Sequence, residues 1–510
     1  MNLAKIFSTQ FDYLKSFVVE IEVDLTKSGF TPSFKIVGLP DKAVEESKER
    51  VLTALKNTNL INAENSKVIV SLSPAEKRKT GPIFDLGIAM AYLLADGRLD
   101  FNFENKIFIG ELALDGSLRA VQGILPMVKL AKEKGFTSVY LPDKNFKEAS
   151  LIQGINIFPV KNLNQLVEHL EQEKAEKKNL DKIIKPLSRK ISFDENKAFQ
   201  IDFSDIRGQE SAKRALEIAA AGGHNIMLYG PPGTGKTMLA KAFSEILPDL
   251  NYNEIVEVSS IHSISGELDG KSYISKPPFR APHHTSSYVS IIGGGSTPKA
   301  GEITLAHKGV LFMDEFVEFD KRVLESLREP LEEQKINISR SKGSYTFPAD
   351  FILIGALNPP STVLMTSRVS YAEEQKFKKK LSGPIMDRID IWVEVDKISH
   401  QELLEKRKKT ESQSEKIKKN ILEAREIQEK RFGQKKVNAR MSARDIEKKI
   451  KLSKDVGKIL VEASEKLDLS PRVFHKMIKL ARTIADLEKK EEISEDHILE
   501  ALQYRPQDII

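Results

Sequence analysis

The chain has 510 residues, a formal net charge of +6 and no cysteine. Disulfides, cysteine-ligated zinc and a thiol nucleophile are therefore excluded, and so slight a charge makes any surface for nucleic acid a local one. The first residues break their apolar runs with Lys5, Asp12, Lys15 and Glu20 and lack a signal-peptide core, and no apolar stretch is long enough to span a bilayer. A cytoplasmic protein of about three domains, with no membrane contact, is expected.

Residues 1–170 alternate strand-like and helix-like segments. Residues 18–25 and 67–73 read as strands, and 42–58 as one amphipathic helix with Val44, Val51, Leu52 and Leu55 on a single face. Residues 125–135 predict a helix closed by a glycine, followed by the strand-like TSVYLP. This is the pattern of an α+β domain without a phosphate loop or metal-ligand spacing. Residues 171–200 turn lysine-rich and apolar-poor, the composition of a charged linker.

Residues 201–397 are organised around NIMLYGPPGTGKTMLAKAF at 225–243. An apolar strand-like run leads into Gly230-Pro231-Pro232-Gly233-Thr234-Gly235-Lys236-Thr237, and Met238, Leu239, Ala242 and Phe243 follow at helical spacing. Strand, glycine-rich loop and helix are the context in which G-x-x-x-x-G-K-[ST] binds phosphate. Glycines let backbone amides wrap phosphate oxygens, and the helix adds its unpaired N–H groups and positive end. Lys236 would reach the β- and γ-phosphates and Thr237 would ligate Mg²⁺, so ATP and Mg²⁺ are the expected cofactors. Ahead of this loop, 205–223 predicts a helix beside the nucleotide, with Ile206 and Gly208 as candidates for the adenine wall. KGVLFMDEF at 308–316 is a buried strand ending in two carboxylates: Asp314 to hold Mg²⁺ and Glu315 to orient and deprotonate water. FILIGALNP at 351–359 repeats the format and ends in Asn358, an amide able to bond the same water or the γ-phosphate. Polar residues at the C-terminal tips of buried strands fit the rule for ligand sites in open α/β sheets.

Residues 398–436 read as a charged helical connector and 437–510 as a helical domain. In the latter, Ser470 is a candidate N-cap, Pro471 stands at the first helical position, and Val473, Met477, Leu480, Ala481, Ile484 and Leu487 form the core face. Two stretches exceed a minimal core. Residues 270–307 carry Arg280, His283 and His284, and a hairpin-like stretch at 336–353 carries Arg340, Lys342 and Tyr345. Cationic and aromatic groups of this kind suit a phosphate backbone and unstacked bases. The adjacent histidines equally suit hydrogen bonds that tie their loop down, and they lack a third ligand at metal-site spacing.

PFRAPHH, GEITLAHKGVLFMDE, ISRSKGSYTFPA, LSGPIMDRIDI and ARTIADL together resemble the ComM/YifB family of magnesium-chelatase-like AAA+ ATPases, and the resemblance covers nearly the whole chain. It implies an α/β fold: an AAA+ P-loop core with a helical lid, preceded by an α+β domain similar to the proteolytic domain of Lon-type proteases. Around the positions of the protease's Ser-Lys dyad this chain has Gly81-Pro82-Ile83-Phe84-Asp85 and Gly123-Ile124-Leu125, so peptidase chemistry has no nucleophile. By the same resemblance Asn358 is the sensor-1 residue and Arg388 the finger that faces a neighbouring subunit's nucleotide. The bland alternative for Arg388 is an ion pair with Asp387 or Asp390. Arg472 falls where the lid places its sensor-2 arginine, in contact with the γ-phosphate of its own subunit. The two long stretches match loops that line the pore of ring-shaped members. A hexameric ring that hydrolyses ATP and acts on single-stranded or branched DNA, in branch migration during recombination and transformation, is the implied function. A protein-remodelling motor and a nucleotide-gated scaffold are the alternatives. The family's usual cysteine-rich segment after sensor 1 is replaced here by PPSTVLMTSRVSYAEEQKFKKK.

Overall fold

The computed structural model describes residues 3–27, 32–61, 66–174, 184–186, 199–268, 272–295, 299–340, 343–358, 383–398 and 412–506. The chain folds as two units, Met1–Phe193 with Ile255–Ile274, and Asp194–Glu254 with Ser275–Ile510.

The first unit is built on a seven-stranded mixed sheet. Its order is Ser33–Val37, Ser66–Ser73, Lys15–Lys27, Leu3–Asp12, Lys106–Phe108, Ser138–Pro142 and Asn156–Val160. Alternation sets the register: Val19, Ile21, Val23 and Leu25 are buried, with acidic residues interleaved between them. The helix Asp85–Ala95 is apolar on all sides beyond Asp85 and is correspondingly buried against the strands Leu3–Asp12 and Lys15–Lys27. Instead of one helix over 42–58 there are two, Lys42–Glu45 and Ser47–Asn57. Between them the Arg50 guanidinium takes the carbonyl of Ala43, the acceptor that a continuous helix would have offered to the amide of Ser47.

The helix Tyr252–Ser265 falls inside the stretch read from sequence as ATPase core, yet its residues from Ile255 onward belong to the first unit. It buries Ile255, Val256, Val258 and Ile261, Ser263 hydrogen-bonds Glu148, and the amide of Ile274 donates to Ser259 Oγ (2.9 Å). Its apolar residues are spread around the helix rather than striped, so periodicity carries no sign of the face it buries.

The second unit holds a parallel five-stranded sheet in the order Phe279–Arg280, Val310–Met313, Ile352–Leu357, Ile226–Tyr229, Ile391–Glu394. The inner strands are apolar on both faces because helices cover both. One continuous core joins the helices Glu210–Gly222 and Lys236–Ile246 to Gln413–Phe432, Pro471–Leu487 and Glu495–Gln503. The charged connector thus contributes a helix to that core, through Ile417, Ile421 and Ala424. From it, Arg425 Nε donates to Ala220 O (3.2 Å) and Gln428 Nε2 to Ala221 O (3.1 Å), satisfying orphan carbonyls at the end of Glu210–Gly222. Among the described residues no helix is long and apolar enough to cross a membrane.

Candidate functional site

At the C-terminal edge of the second unit's sheet, Gly230 leaves its strand so close to the neighbouring one that a Cβ there would lie 2.2 Å from the carbonyl of Val395. Gly233 and Gly235 hold left-handed φ of +78° and +91°, and nothing stands within 4 Å of where their side chains would be. The loop is therefore an open cradle of backbone. Lys236 opens the next helix and is 6% exposed, its Nζ donating to the carbonyls of Gly230 (2.9 Å) and Pro231 (2.8 Å). Burial lowers its pKa, against the pull of Asp314. Thr237 Oγ1 donates to Asp314 Oδ2 (3.0 Å), and the amide of Glu315 donates to Asp314 Oδ1 (2.9 Å). Glu315 has φ of +49°, uncommon for a residue with a side chain and characteristic of a functional turn.

Beside them Asn358 follows the strand Ile352–Leu357, and its buried Oδ1 has no hydrogen-bond partner among the described residues. A buried acceptor left open at a strand tip is accounted for by a bound ligand or its water. The residues fit a nucleoside triphosphate with Mg²⁺: a hydroxyl and a carboxylate 3.0 Å apart are hard oxygen donors, and an ammonium and backbone amides face the same cradle. Ile206 is buried near the start of Glu210–Gly222.

The opposite edge of the sheet holds a second constellation. Asn225 precedes the P-loop strand and pins three strand starts: its Nδ2 donates to Arg388 O (3.0 Å), its Oδ1 accepts from the amide of Leu353 (3.0 Å), and its N–H donates to Asp390 Oδ2 (3.1 Å). Arg388 is 9% exposed and pairs through Nη2 with Glu332 (2.7 Å). Arg472 reaches the same Glu332 oxygen at 2.6 Å. The lid arginine thus sits beside Arg388, one strand length from the P-loop of its own chain, because the lid helix Pro471–Leu487 begins at this edge of the sheet. Burial pushes the Glu332 carboxyl up, but the two guanidiniums outweigh it and hold the group below its ordinary range. Asp390 is held low in the same way, by His224 and Lys476 against burial. Asn225, Glu332, Arg388, Asp390, Arg472 and Lys476 line a cavity of about 1040 Å³ that also takes in Lys479, Arg440 and Asp350. Glu332 and Asn225 carry no motif, and sequence reading passes over both.

The long stretches depart from a pair of free basic loops. Arg280 lies on the edge strand and is bidentate to Glu302 (2.6 and 2.8 Å), so it is not an uncommitted cation for DNA. His283 Nδ1 lies 2.8 Å from Thr285 Oγ1, and its ring packs 4.2 Å from that of His284. His284 Nδ1 in turn lies 3.1 Å from Glu315 Oε2. The second stretch is a two-stranded hairpin, Lys335–Arg340 with Gly343–Pro348, in which Tyr345 faces Ile338. Lys342 lies outside the described residues, as does the segment that replaces the cysteine-rich loop.

In the first unit the positions of the protease dyad are filled for packing: Ile83, Phe84 and Leu125 are all buried. The fully buried Asp85 forms a bidentate pair with Arg50 (2.7 and 3.1 Å) and accepts the amide of Leu112 (3.2 Å). Carboxylate and guanidinium hold one another, and neither is an acyl-transfer nucleophile.

Comparison with known families places three matches along the chain. They are "Subunit ChlI of Mg-chelatase" over residues 21–145, "Magnesium chelatase, subunit ChlI" over 202–403, and "Magnesium chelatase, subunit ChlI C-terminal" over 411–505. The competence protein ComM of Haemophilus influenzae is 39% identical over 99% of this chain and 98% of its own length. The uncharacterized protein YifB of Salmonella typhimurium is 38% identical over 95% and 94%. Lon protease 2 of Bacillus subtilis is 27% identical over 44% of this chain and 47% of its own. With P-loop, paired carboxylates and strand-tip amide converging on one sheet edge, and identity at this level along almost its whole length, the chain belongs to the ComM/YifB family of magnesium-chelatase-like AAA+ ATPases.

Proposed function

We propose that the protein is an ATP-driven ring, a hexamer of identical chains, that moves or remodels single-stranded or branched DNA during recombination and DNA uptake. The observation that carries the shared-site part is the Arg388–Glu332–Arg472 cluster. Two guanidiniums gather on one carboxylate at the edge of the sheet opposite the P-loop, away from the nucleotide cradle of their own chain. They suit the phosphates of a neighbour that docks against this edge. In the assembled site Lys236 and the loop amides would bind the phosphates of ATP, and Thr237 and Asp314 would hold a Mg²⁺ that offsets the phosphate charge. Glu315 takes the proton from the attacking water and Asn358 orients that water. Arg388 meets the transferring phosphoryl from the adjacent chain, and Arg472 accompanies it. Support for DNA comes from the relation to a competence protein and from the cationic and aromatic residues Arg340, Lys342 and Tyr345 in the sequence of the second long stretch. Similarity to a magnesium-chelatase subunit favours a second reading, a motor that remodels a partner protein.

Two experiments test the proposal. Arg388→Ala and Glu315→Gln proteins should each be nearly inactive alone, since a finger arginine is worth about 10³–10⁵ in rate. Mixed in equal amounts they should recover roughly a quarter of the parental ATPase, because random head-to-tail neighbours create one intact composite site in four. No recovery, with mixed oligomers demonstrated, would show that the arginine acts within its own chain. Separately, ATPase measured at low salt should rise on adding forked or single-stranded DNA, and the rise should be weaker in Lys342→Ala. An unresponsive parent together with capture of a single protein partner would favour the remodelling reading.

A further inference from the structure

The formal excess of +6 is not spread along the 510 residues. Residues 435–458 hold nine lysines and arginines against three acidic residues, a net +6. Out of totals of 79 basic and 73 acidic residues, that leaves 70 of each sign everywhere else. Solvated helix faces of this protein mix the two signs: the connector helix Gln413–Phe432 carries six cations and four glutamates. The segment 435–458 belongs to the second unit and stands on a fixed frame. A single 3₁₀ turn, Asn438–Arg440, leads to two helices, Ala443–Lys449 and Lys454–Lys466, capped by Ser442 and Ser453. Ile446, Ile450, Val456 and Leu460 sink into the core that joins the lid to the sheet.

That anchoring sorts the cations. Two turn inward: Lys436 Nζ donates to Asp445 Oδ2 (2.6 Å), and Arg440 Nη2 donates to Asp350 Oδ1 (3.0 Å). Asp445 also accepts the amide and the hydroxyl of Ser442 (2.8 and 2.7 Å), so this acid is committed to the cap. Arg444, Lys448, Lys451, Lys454 and Lys458 are exposed. The first four have no carboxylate within ion-pair distance among the described residues. Lys458 meets Asp455 at 4.0 Å, with both side chains mostly in water, a contact worth next to nothing. Spacing of four puts Arg444 with Lys448, and Lys454 with Lys458, on one side of each helix, where like charges repel. Helix stability therefore does not account for them.

We propose that the exposed cations of residues 444–458 form a surface on the lid that holds the phosphate backbone of DNA. Unpaired ammonium and guanidinium groups on rigid helices meet phosphates without reading bases, and binding gains by releasing the counterions condensed on the polymer. The same core takes in Leu239, Ala242 and Phe243 of the helix that follows the P-loop, so packed side chains join this surface to the nucleotide cradle. The inference rests on the proposed action on DNA and adds to it a contact outside the two long stretches.

The test is equilibrium binding of the full-length protein to a fluorescent single-stranded oligonucleotide, with a non-hydrolysable ATP analogue, across a salt series. A Lys448→Gln, Lys451→Gln, Lys454→Gln triple variant should lose about 2 from the slope of log affinity against log salt, at about 0.7 per phosphate contact. Near 0.1 M salt it should bind on the order of 10–100-fold more weakly. Its ATPase without DNA should match the parent's, which also shows that it folds. A second triple variant, Lys416→Gln, Lys419→Gln, Lys430→Gln, removes the same charge from exposed positions of the connector helix and should keep the parental slope. Equal losses in both variants would overturn the proposal, because a diffuse field rather than a surface would then be at work. A parental slope in both would overturn it too, and would leave the segment to a partner other than DNA, with the DNA reading intact. A parent that fails to bind DNA even at low salt would overturn that reading and this surface together.

Discussion

Glu315→Gln should lower turnover by about 10²–10⁴-fold while ATP still binds, the range a positioned general base contributes. The argument is geometric. Thr237 and Asp314 are 3.0 Å apart and engage one another, and Asp314 also accepts the amide of Glu315, which leaves Asp314 committed to holding its neighbours. Glu315 alone of the two adjacent acids keeps its side chain free of Thr237 and turns into the next loop. Glutamine keeps the size and the hydrogen-bonding reach but cannot accept a proton. The loss should therefore fall on kcat, with KM and the affinity for a fluorescent ATP analogue nearly unchanged. Phosphate release in single-turnover and steady-state assays reads this directly. A loss of less than about threefold would place the base elsewhere.

The second large effect is on stability and lies far from the nucleotide. Asp486, in the lid helix, is fully buried. It accepts from Arg431 Nη1 (2.9 Å), Arg482 Nε (3.1 Å) and Asn438 Nδ2 (2.8 Å). Arg482 continues outward to the carbonyls of Glu491 and Lys490, and Asn438 continues to Thr483, so one carboxylate ties the connector helix, the turn after it and the lid together. Asp486→Ala would leave two guanidiniums buried around a lost anion, a change that costs about 3–5 kcal/mol. Denaturant unfolding of the full-length protein should show that loss. Hydrogen exchange should place the earliest opening in residues 412–506. A change below about 1 kcal/mol, as for an exposed pair, would mean that the guanidiniums find water or other acceptors instead.

What sequence shows of this protein follows distance along the chain. The P-loop is eight consecutive residues between a strand and a helix, and Asp314 and Glu315 are adjacent at the end of an apolar run, so local pattern suffices for both. Asn358 is legible for the same reason. The arginine pair is legible only in part: Arg388 and Arg472 stand in motifs, but the carboxylate they share is Glu332, in the unremarkable run LEEQK and separated from Arg472 by 140 positions. No periodicity joins residues so far apart. Asn225 escapes because an asparagine before a buried strand looks like a turn, whereas its three bonds run to strands that begin more than a hundred residues later. His284 was legible as a chemically active residue, but its partner was not. The pairing depends on which strand lies beside which, and strand order is a property of topology. The connector is legible as a helix, but its part in the core is hidden by composition, since lysine and glutamate crowd the surface of a helix whose narrow apolar stripe is buried.

The excursion of residues 255–274 has a consequence for anyone who would take the molecule apart. The polypeptide leaves the P-loop unit after the helix Lys236–Ile246, folds a helix into the first unit, and only then returns to lay down the edge strand Phe279–Arg280. A shortened gene that begins at the linker would strip that helix of its partners, turning Ile255, Val256, Val258 and Ile261 out into water. The halves are stitched rather than strung, since the chain crosses from one to the other more than once. A working half would need a second cut and a short bridge across the missing loop, placed so that the edge strand still finds its neighbour.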